Sequence, residues 1–544
     1  MCFKTSALLK KHFKYLSLLI LVALAGCAKR GTINGGLKDT IAPVIKIAFP
    51  KNYSTDFKSK TIKLTFDEYV KLKDASKQLI ISPPMAKAPE ISPSTASKSI
   101  DIKFNEDLLP NTTYSLNFGK SIEDNNEGNA LREFKYIFST GPFIDSLSLS
   151  GTIKDAYSKK ADSFVTVMLY EINETFKDSM VYKTNPRYVT NTLDSAATFK
   201  LENLKAGKYL LLALKDANSN YKFDPNTDKI GFRKQYVTIP NDSSYQIALF
   251  KEAAGFKALK PTQASGNRLI VAYQGNPKDA KLQLRKGNES LISYITKVPK
   301  KDSLHVWYKP IKLEPKQTDS LQLSVTNGKY TENFNFKIKN QKNDTLRIAP
   351  VQNGILPLGE QLTLSSTLPL TKFDVSKMKL TNKDSADVKF TTEYDEMNME
   401  LKFNFQKEPT DRYKLRLLPG ALTDFMEKTN DTLTFQYETK STAEYGNLRL
   451  TLENVRQFPI IVELTNKNGE VQYANYSESA TQIDFNLIKP DIYTLRIIYD
   501  ENKNKEWDSG RFLDKRQSED VIYFPKEIDV RANWDVLQPF NLKE

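Results

Sequence analysis

Two stretches of this 544-residue chain carry oxygen-bearing side chains at a spacing that could hold a hard cation. Asp216, Asn218, Asn220 and Asp224 stand as D-x-N-x-N-x-x-x-D, and Asp500, Asn502, Asn504 and Asp508 repeat the pattern. Alternating oxygen donors on a tight loop can wrap Ca²⁺, the one cofactor the sequence suggests. Neither loop is an EF-hand. Tyr221 and Lys505 stand where the turn glycine belongs, and Thr227 and Arg511 where a closing Glu belongs. The competing reading is a hairpin whose Asp and Asn side chains bond its own backbone. Other chemistry is scarce. Asp67 and Glu68 are adjacent, and neighbours on a strand point to opposite faces, so they cannot flank one glycosidic bond. His305 stands alone in a strand-like run, and the chain has no G-x-S-x-G elbow, so a catalytic triad is not expected. No glycine-rich phosphate loop of Walker or Rossmann form occurs.

Cysteine and histidine counts narrow the field further. Cys2 and Cys27 are the only cysteines, and His12 and His305 the only histidines. Lys4, Lys10, Lys11 and Lys14 precede an apolar run from Tyr15 to Ala25, which reads as a secretory leader and is too short to span a bilayer as a helix. The run closes on Leu24-Ala25-Gly26-Cys27, which resembles the lipobox of bacterial lipoproteins. That resemblance implies cleavage before Cys27, diacylation of its thiol and acylation of the new N-terminus. The mature chain would then hold no free thiol and one histidine. That excludes disulfides, Cys/His zinc sites, Cys nucleophiles and haem attachment. Three acyl chains would anchor it firmly, since one gives only marginal binding.

The formal charge is +14, and losing the four leader lysines brings it to +10. Basic residues are scattered among acids rather than massed in runs, so nucleic acid is not an expected partner. A mildly basic, solvated surface suits an envelope of anionic glycan or lipid.

Around these residues the dominant texture of the chain is alternation. Ile62, Leu64 and Phe66 alternate with polar residues, as do Ile100, Ile102 and Phe104, then Phe134, Tyr136 and Phe138. Such period-2 patterns predict half-buried strands, and no sustained helical stripe interrupts them. The expected class is all-β: tandem sandwiches of about seven strands each. Repeats organise them. The segment beginning at Thr198 lines up with one beginning at Ile483, and 43–142 aligns more weakly with 346–441. The expected plan is a leader over 1–26, a tether over 27–42, and modules at 43–142, 146–250, 251–345, 346–441 and 445–544.

The stretch 43–142 resembles a bacterial Ig-like domain of the type first named from an S-layer protein. The resemblance rests on Pro43-Val44, Thr61 through Glu68, Leu109 through Tyr114 and Ile122 through Asn129. Residues 147–250 resemble transthyretin-like, carboxypeptidase-regulatory sandwiches through Gly151 to Ala156, Phe199 to Leu204, Gly207 and Tyr209. Ala196-Ala197-Thr198 replaces the usual Asp-Gly before Phe199. Together these resemblances imply a non-enzymatic, lipid-anchored outer-membrane protein. Its modules would serve structural or binding roles toward another envelope protein or a glycan. Two alternatives stand beside it: a carbohydrate-binding surface lipoprotein and, less favoured, a hydrolase using carboxylates alone. No acidic cluster follows Cys27, which leans the expectation toward the periplasmic face without deciding it.

Two further groups of residues are singled out. Trp307, Trp507 and Trp534 are candidates for stacking on sugars, Trp507 because it lies inside the second Asp/Asn loop; the competing reading, and the default for most of them, is core packing. The tripeptide Asp-Ser/Thr-small-or-aliphatic occurs nine times, centred on Thr40, Ser146, Ser179, Ser195, Ser303, Ser320, Thr345, Ser385 and Thr432. It resembles an O-glycosylation motif of exported proteins in a Gram-negative phylum rich in surface glycan machinery. The competing reading is a turn that opens a strand.

Overall fold

Alternation in the sequence becomes alternation in burial. In the strand Thr61–Leu72, Ile62, Leu64 and Phe66 are buried while Thr61, Lys63 and Asp67 face solvent. The computed structural model describes residues 39–192, 197–314 and 318–543. The leader, Cys27 and Ser195 lie outside the described residues. Among those described, helix is confined to a four-residue turn at Ala75–Gln78 and three short 3-10 segments. No helix among them is long and apolar enough to cross a membrane. The chain is an all-β protein of tandem β-sandwich modules.

Two compact units are distinguished. The first runs through Leu79, resumes over Lys87–Pro110 and ends with Leu116–Thr140. Its main sheet orders Ile45–Phe49, Thr61–Leu72, Ser97–Lys103 and Glu90–Ser92, with Ile122–Asp124 also paired to the long strand. Phe57 and Phe138 stack in its core with ring centroids 4.0 Å apart. After the short strand, Asp124 accepts four backbone N–H bonds from Asn126, Glu127, Gly128 and Asn129, which closes the following turn.

The second unit includes Gly141–Glu544. Within it, residues 147–249 and 446–541 form two sandwiches with the same topology. Each has a three-stranded sheet in which the first and last strands run parallel: Leu147–Asp155 with Ser244–Leu249, and Gly446–Glu453 with Asp535–Asn541. The facing sheets are Tyr188–Asn191, Thr166–Glu171, Gly207–Lys215 and Lys229–Phe232 in one, and Val471–Ser477, Ile460–Thr465, Asp491–Tyr499 and Val521–Tyr523 in the other. Each of these five-stranded sheets gains its last member on the central strand, Val237–Ile239 and Ile528–Val530. The central strands read as nearly continuous apolar runs, Tyr209 to Leu214 and Leu495 to Tyr499, because both of their faces are covered.

Between these two sandwiches lie two more. Residues 257–339 build two antiparallel sheets around Leu269, Val306, Leu323 and Val325. Residues 348–438 carry a sheet ordered Ile348–Pro350, Leu362–Ser366, Glu400–Asn404 and Thr391–Asp395. That is the first-second-last-third order of the main sheet in the first unit, and here Asp424 closes the turn through the N–H groups of Met426 and Lys428.

Candidate functional site

The two Asp/Asn loops occupy the same place in the two matching sandwiches. Each follows the central strand and returns to the sheet edge. In the first loop, Asp216 accepts from the N–H of Asn218 at 3.1 Å and of Tyr221 at 2.7 Å. In the second, Asp500 accepts from Asn504 at 3.1 Å and Lys505 at 2.9 Å. The fourth and sixth positions take left-handed backbone in both loops: Ser219 and Tyr221 at φ 53° and 58°, Lys503 and Lys505 at 63° and 67°. The bend that glycine would make freely is therefore made by residues with side chains, held in place by the hydrogen bonds around it.

A third carboxylate completes each loop, and the spacing argument missed both. Asp228 accepts from the N–H of Ala217 at 3.0 Å and of Asp224 at 2.9 Å. Glu519 does the same for Glu501 at 2.7 Å and Asp508 at 2.9 Å. Both side chains are buried. Asp228 lies four positions after Asp224 but Glu519 eleven positions after Asp508, so no fixed spacing reveals them. The available signal was an acid just before the next strand, Lys229–Phe232 or Val521–Tyr523.

Burial raises the pKa of Asp216, and the nearby Asp228 adds to it. Glu519 is likewise pushed up, first by burial and then by Asp508 and Asp500, against the pull of its two N–H donors. The amides of Asn502 and Asn504 both donate to Asp508 Oδ2, each at 2.6 Å. The carboxylates thus serve mainly as acceptors for the loop's own N–H groups. Among the described residues, no group of three or more His, Cys, Asp or Glu side chains is arranged to hold a metal ion.

The second loop also reaches onto the first sandwich. Its Phe512 is fully buried among Phe232, Phe250, Phe223 and Tyr182. Gly510 passes so close to the Phe250 ring and the Arg516 carbonyl that a Cβ there would collide with both. Lys515 pairs with Asp178 at 2.6 Å, and Gln517 donates to the Phe232 carbonyl at 2.9 Å. Beside this plug, Arg496 pairs with Glu463 at 2.6 Å, donates to the Tyr157 hydroxyl at 2.6 Å, and lies 4.1 Å from that ring's centre. A buried arginine satisfied on several sides stiffens a junction and fixes its register.

Trp507 is half-buried, its ring tilted at 43° against Tyr157 with centroids 4.7 Å apart, and its indole N–H on the Glu519 carbonyl. Trp307 is buried, its indole N–H on Thr296 at 2.9 Å. Trp307 is almost fully enclosed and Trp507 sets its ring against Tyr157, whereas Trp534, 55% exposed beside Arg531, is the most open of the three. Asp67 turns outward to accept the Val44 N–H at 2.8 Å, a structural tie. His305 is buried, with its nearest polar neighbours, Thr296 and Arg268, each 3.5 Å away. Of the described glycosylation candidates, Thr40, Ser146, Ser179, Ser320, Thr345, Ser385 and Thr432 are exposed, and Ser303 is half-buried at the start of a strand.

Comparison with known proteins follows this modular layout. A model of a bacterial Ig-like domain (Big_5) matches residues 39–140. A model of an uncharacterized protein conserved in bacteria (DUF2141) matches 155–268, which covers most of the first of the two matching sandwiches. No curated protein matches the sequence. Among solved structures, domains 1–6 of the surface layer protein SbsC align at 12% identity, covering 90% of this chain and 67% of that one, with a TM-score of 0.16. A Salmonella alpha-2-macroglobulin mutant aligns at 10% identity over 89% of this chain and 42% of its own, at 0.14. The titin fragment I67–I69 aligns at 10% over 53% and 98%, at 0.13. Scores so low carry no argument about function.

Proposed function

We propose that this is a non-enzymatic envelope protein, tethered by lipid on Cys27, whose β-sandwich modules brace or present a binding surface. The observation that carries the reading is the pairing of a lipobox-like Leu24-Ala25-Gly26-Cys27 with a chain built of sandwiches, the first matching a bacterial Ig-like domain. The buried junction between the two matching sandwiches supports a bracing role, since it spends its aromatic and charged side chains on internal contacts. We assign those two sandwiches to the transthyretin-like type, and the protein to the outer membrane. Its partners would be another envelope protein or a glycan.

Radiolabelled palmitate fed to cells should appear in the wild-type band and vanish with Cys27→Ala, which should move to the soluble fraction. An unlabelled protein that stays soluble would overturn the lipid anchor.

The exposed Ser and Thr of the repeated tripeptide support O-glycosylation in a host that performs it. Native mass should then exceed peptide plus lipid and fall in steps with Ser146→Ala, Ser320→Ala and Thr432→Ala. A mass equal to peptide plus lipid would leave these residues as strand-opening turns.

A further inference from the structure

An open cleft of about 580 Å³ lies within the second unit, where residues 257–339 meet residues 348–438. Its floor follows from strand register. Arg268 pairs with Trp307, and Thr296 pairs with His305, two residues before Trp307 on the same strand. These four side chains share the face turned away from their own module's core of Leu269, Val306 and Leu304. The wall is the connecting segment 342–347. It is held close by Gly266 N–H on the Lys342 carbonyl at 3.0 Å and by Asp344 N–H on Asn267 Oδ1 at 3.0 Å. A Cβ on Gly266 would strike Asn343, so glycine is what lets the wall approach.

Positive charge is concentrated there. Arg268, Lys342 and Arg347 line the cleft, against the single acid Asp344. Asp344 Oδ2 lies 2.9 Å from Arg268 Nε but off the N–H direction, so this buried N–H has charge compensation and no hydrogen-bond acceptor. Lys342 and Arg347 are exposed and have no acidic side chain at ion-pair distance among the described residues. The Thr345 hydroxyl and the Asn343 amide line the same space as neutral donors, while the Ser265 and Thr367 hydroxyls are spent on Asp344 and the Thr345 carbonyl. His305 at the back is pushed down to about 4, chiefly by burial and then by Arg268, so it adds no charge at neutral pH.

We propose that this cleft binds an oxyanion, with Arg268 as the anchoring group and Lys342 and Arg347 as the rim that draws the charge in. A guanidinium fork flanked by a hydroxyl and an amide matches the planar or tetrahedral oxygens of a carboxylate, sulfate or phosphate. Two cations without counter-charges across a concave surface raise the local anion concentration. The site is independent of the lipid-anchor reading, and its failure would leave that reading untouched.

The test is calorimetric titration of the full chain in detergent, at low ionic strength, with inorganic phosphate, sulfate and galacturonate. Saturable binding of at least one is expected, at least tenfold weaker in the Lys342→Gln/Arg347→Gln double variant. Both residues are exposed, so folding should survive. The charge-preserving Lys342→Arg/Arg347→Lys variant should retain affinity, and Gly266→Ala should lose it by displacing the wall. Preference for galacturonate would point to an acidic glycan as the source, and preference for phosphate to a phosphorylated group or the free ion. No saturable heat from any of the three, or equal affinity in the Gln double variant, would overturn the proposal.

Discussion

Phe512 packs edge-on against Phe232, ring centroids 5.2 Å apart at 83°, although the two belong to different sandwiches of the second unit. The contact joins the loop of one Asp/Asn repeat to the sheet edge beside the other. Phe512 therefore completes a core it does not belong to by sequence. Its N–H donates to Glu252 at 2.6 Å, which fixes the loop's depth.

Phe512→Ala is expected to cost about 3–5 kcal/mol of junction stability, the usual range for a buried aromatic truncated to alanine. Leu513, 52% exposed, is the control, and its alanine variant should change little. Scanning calorimetry should show one transition moving down in Phe512→Ala. Limited proteolysis should then cut near residue 512, where wild type resists. An unchanged trace would mean that the loop does not seat in solution.

The all-β class was legible because alternation reports the pleat directly, as at Ile62, Leu64 and Phe66. The recurrence of the segments at Thr198 and Ile483 was legible because a shared topology forces shared apolar spacing. What alternation cannot report is which distant backbone a side chain meets. Phe512 reads as one more apolar residue in a polar loop, and its partners lie some 260 to 330 positions earlier in the chain. Asp228 and Glu519 were missed for a related reason: the length between the loop's last Asp and the closing acid is free to vary while the hydrogen-bond geometry is not. How far Trp507 is exposed was not legible in the sequence, because its burial depends on Tyr157 of another module.

Asp228→Ala should be among the more damaging single changes. The carboxylate is fully buried and accepts from two backbone N–H groups and the Thr227 hydroxyl. Removing it strands three donors, at roughly 1–3 kcal/mol for each that stays dry. Glu519→Ala should act alike on the matching loop. Thermal melts of the two variants should both fall, and Asp228→Asn should recover part of the loss by keeping one acceptor.

Lys505→Gly is expected to be neutral or stabilising, up to about 1 kcal/mol, because Lys505 holds a left-handed backbone at φ 67° that glycine adopts freely. Part of the gain is offset by the lost contact of its ammonium with the Tyr476 ring, 4.9 Å away. Tyr221→Gly, at the same position of the first loop, should destabilise instead, since Tyr221 packs against the cluster that holds Phe512. Opposite signs at equivalent positions are the expected reading in paired melts.

His305 should stay neutral until the pH nears 4, because burial first and Arg268 second hold its pKa near that value. The unfolded chain takes up this proton near pH 6.5, so between 6.5 and about 4 it binds more protons than the folded chain. Stability should therefore fall as pH drops through that window, by up to ~3 kcal/mol from this residue, and be fully present above it. An imidazole NMR titration of the mature chain, in which His305 is the one histidine left after cleavage before Cys27, should find the folded-state midpoint near 4. His305→Gln should flatten the corresponding part of the stability curve.

Calcium titration separates the two readings of the Asp/Asn loops. Both oxygens of Asp500 already accept loop N–H groups, and Asp508 Oδ2 is held by the amides of Asn502 and Asn504. An ion would have to reorient those amides, so that oxygen rather than NH₂ faced inward, and displace the N–H groups that Asp500 accepts. The hydrogen bonds favour the self-supporting hairpin, and millimolar Ca²⁺ is expected to give no saturable heat with the full chain. A chelator should likewise leave the melting temperature unchanged. Asp500→Ala should still lower that temperature, since it frees the N–H groups of Asn504 and Lys505 in a left-handed bend. Saturable heat that disappears in both Asp500→Ala and Asp508→Ala would instead make the loops ion sites, and the raised pKa of Glu519 would then mark the charge that the cation relieves.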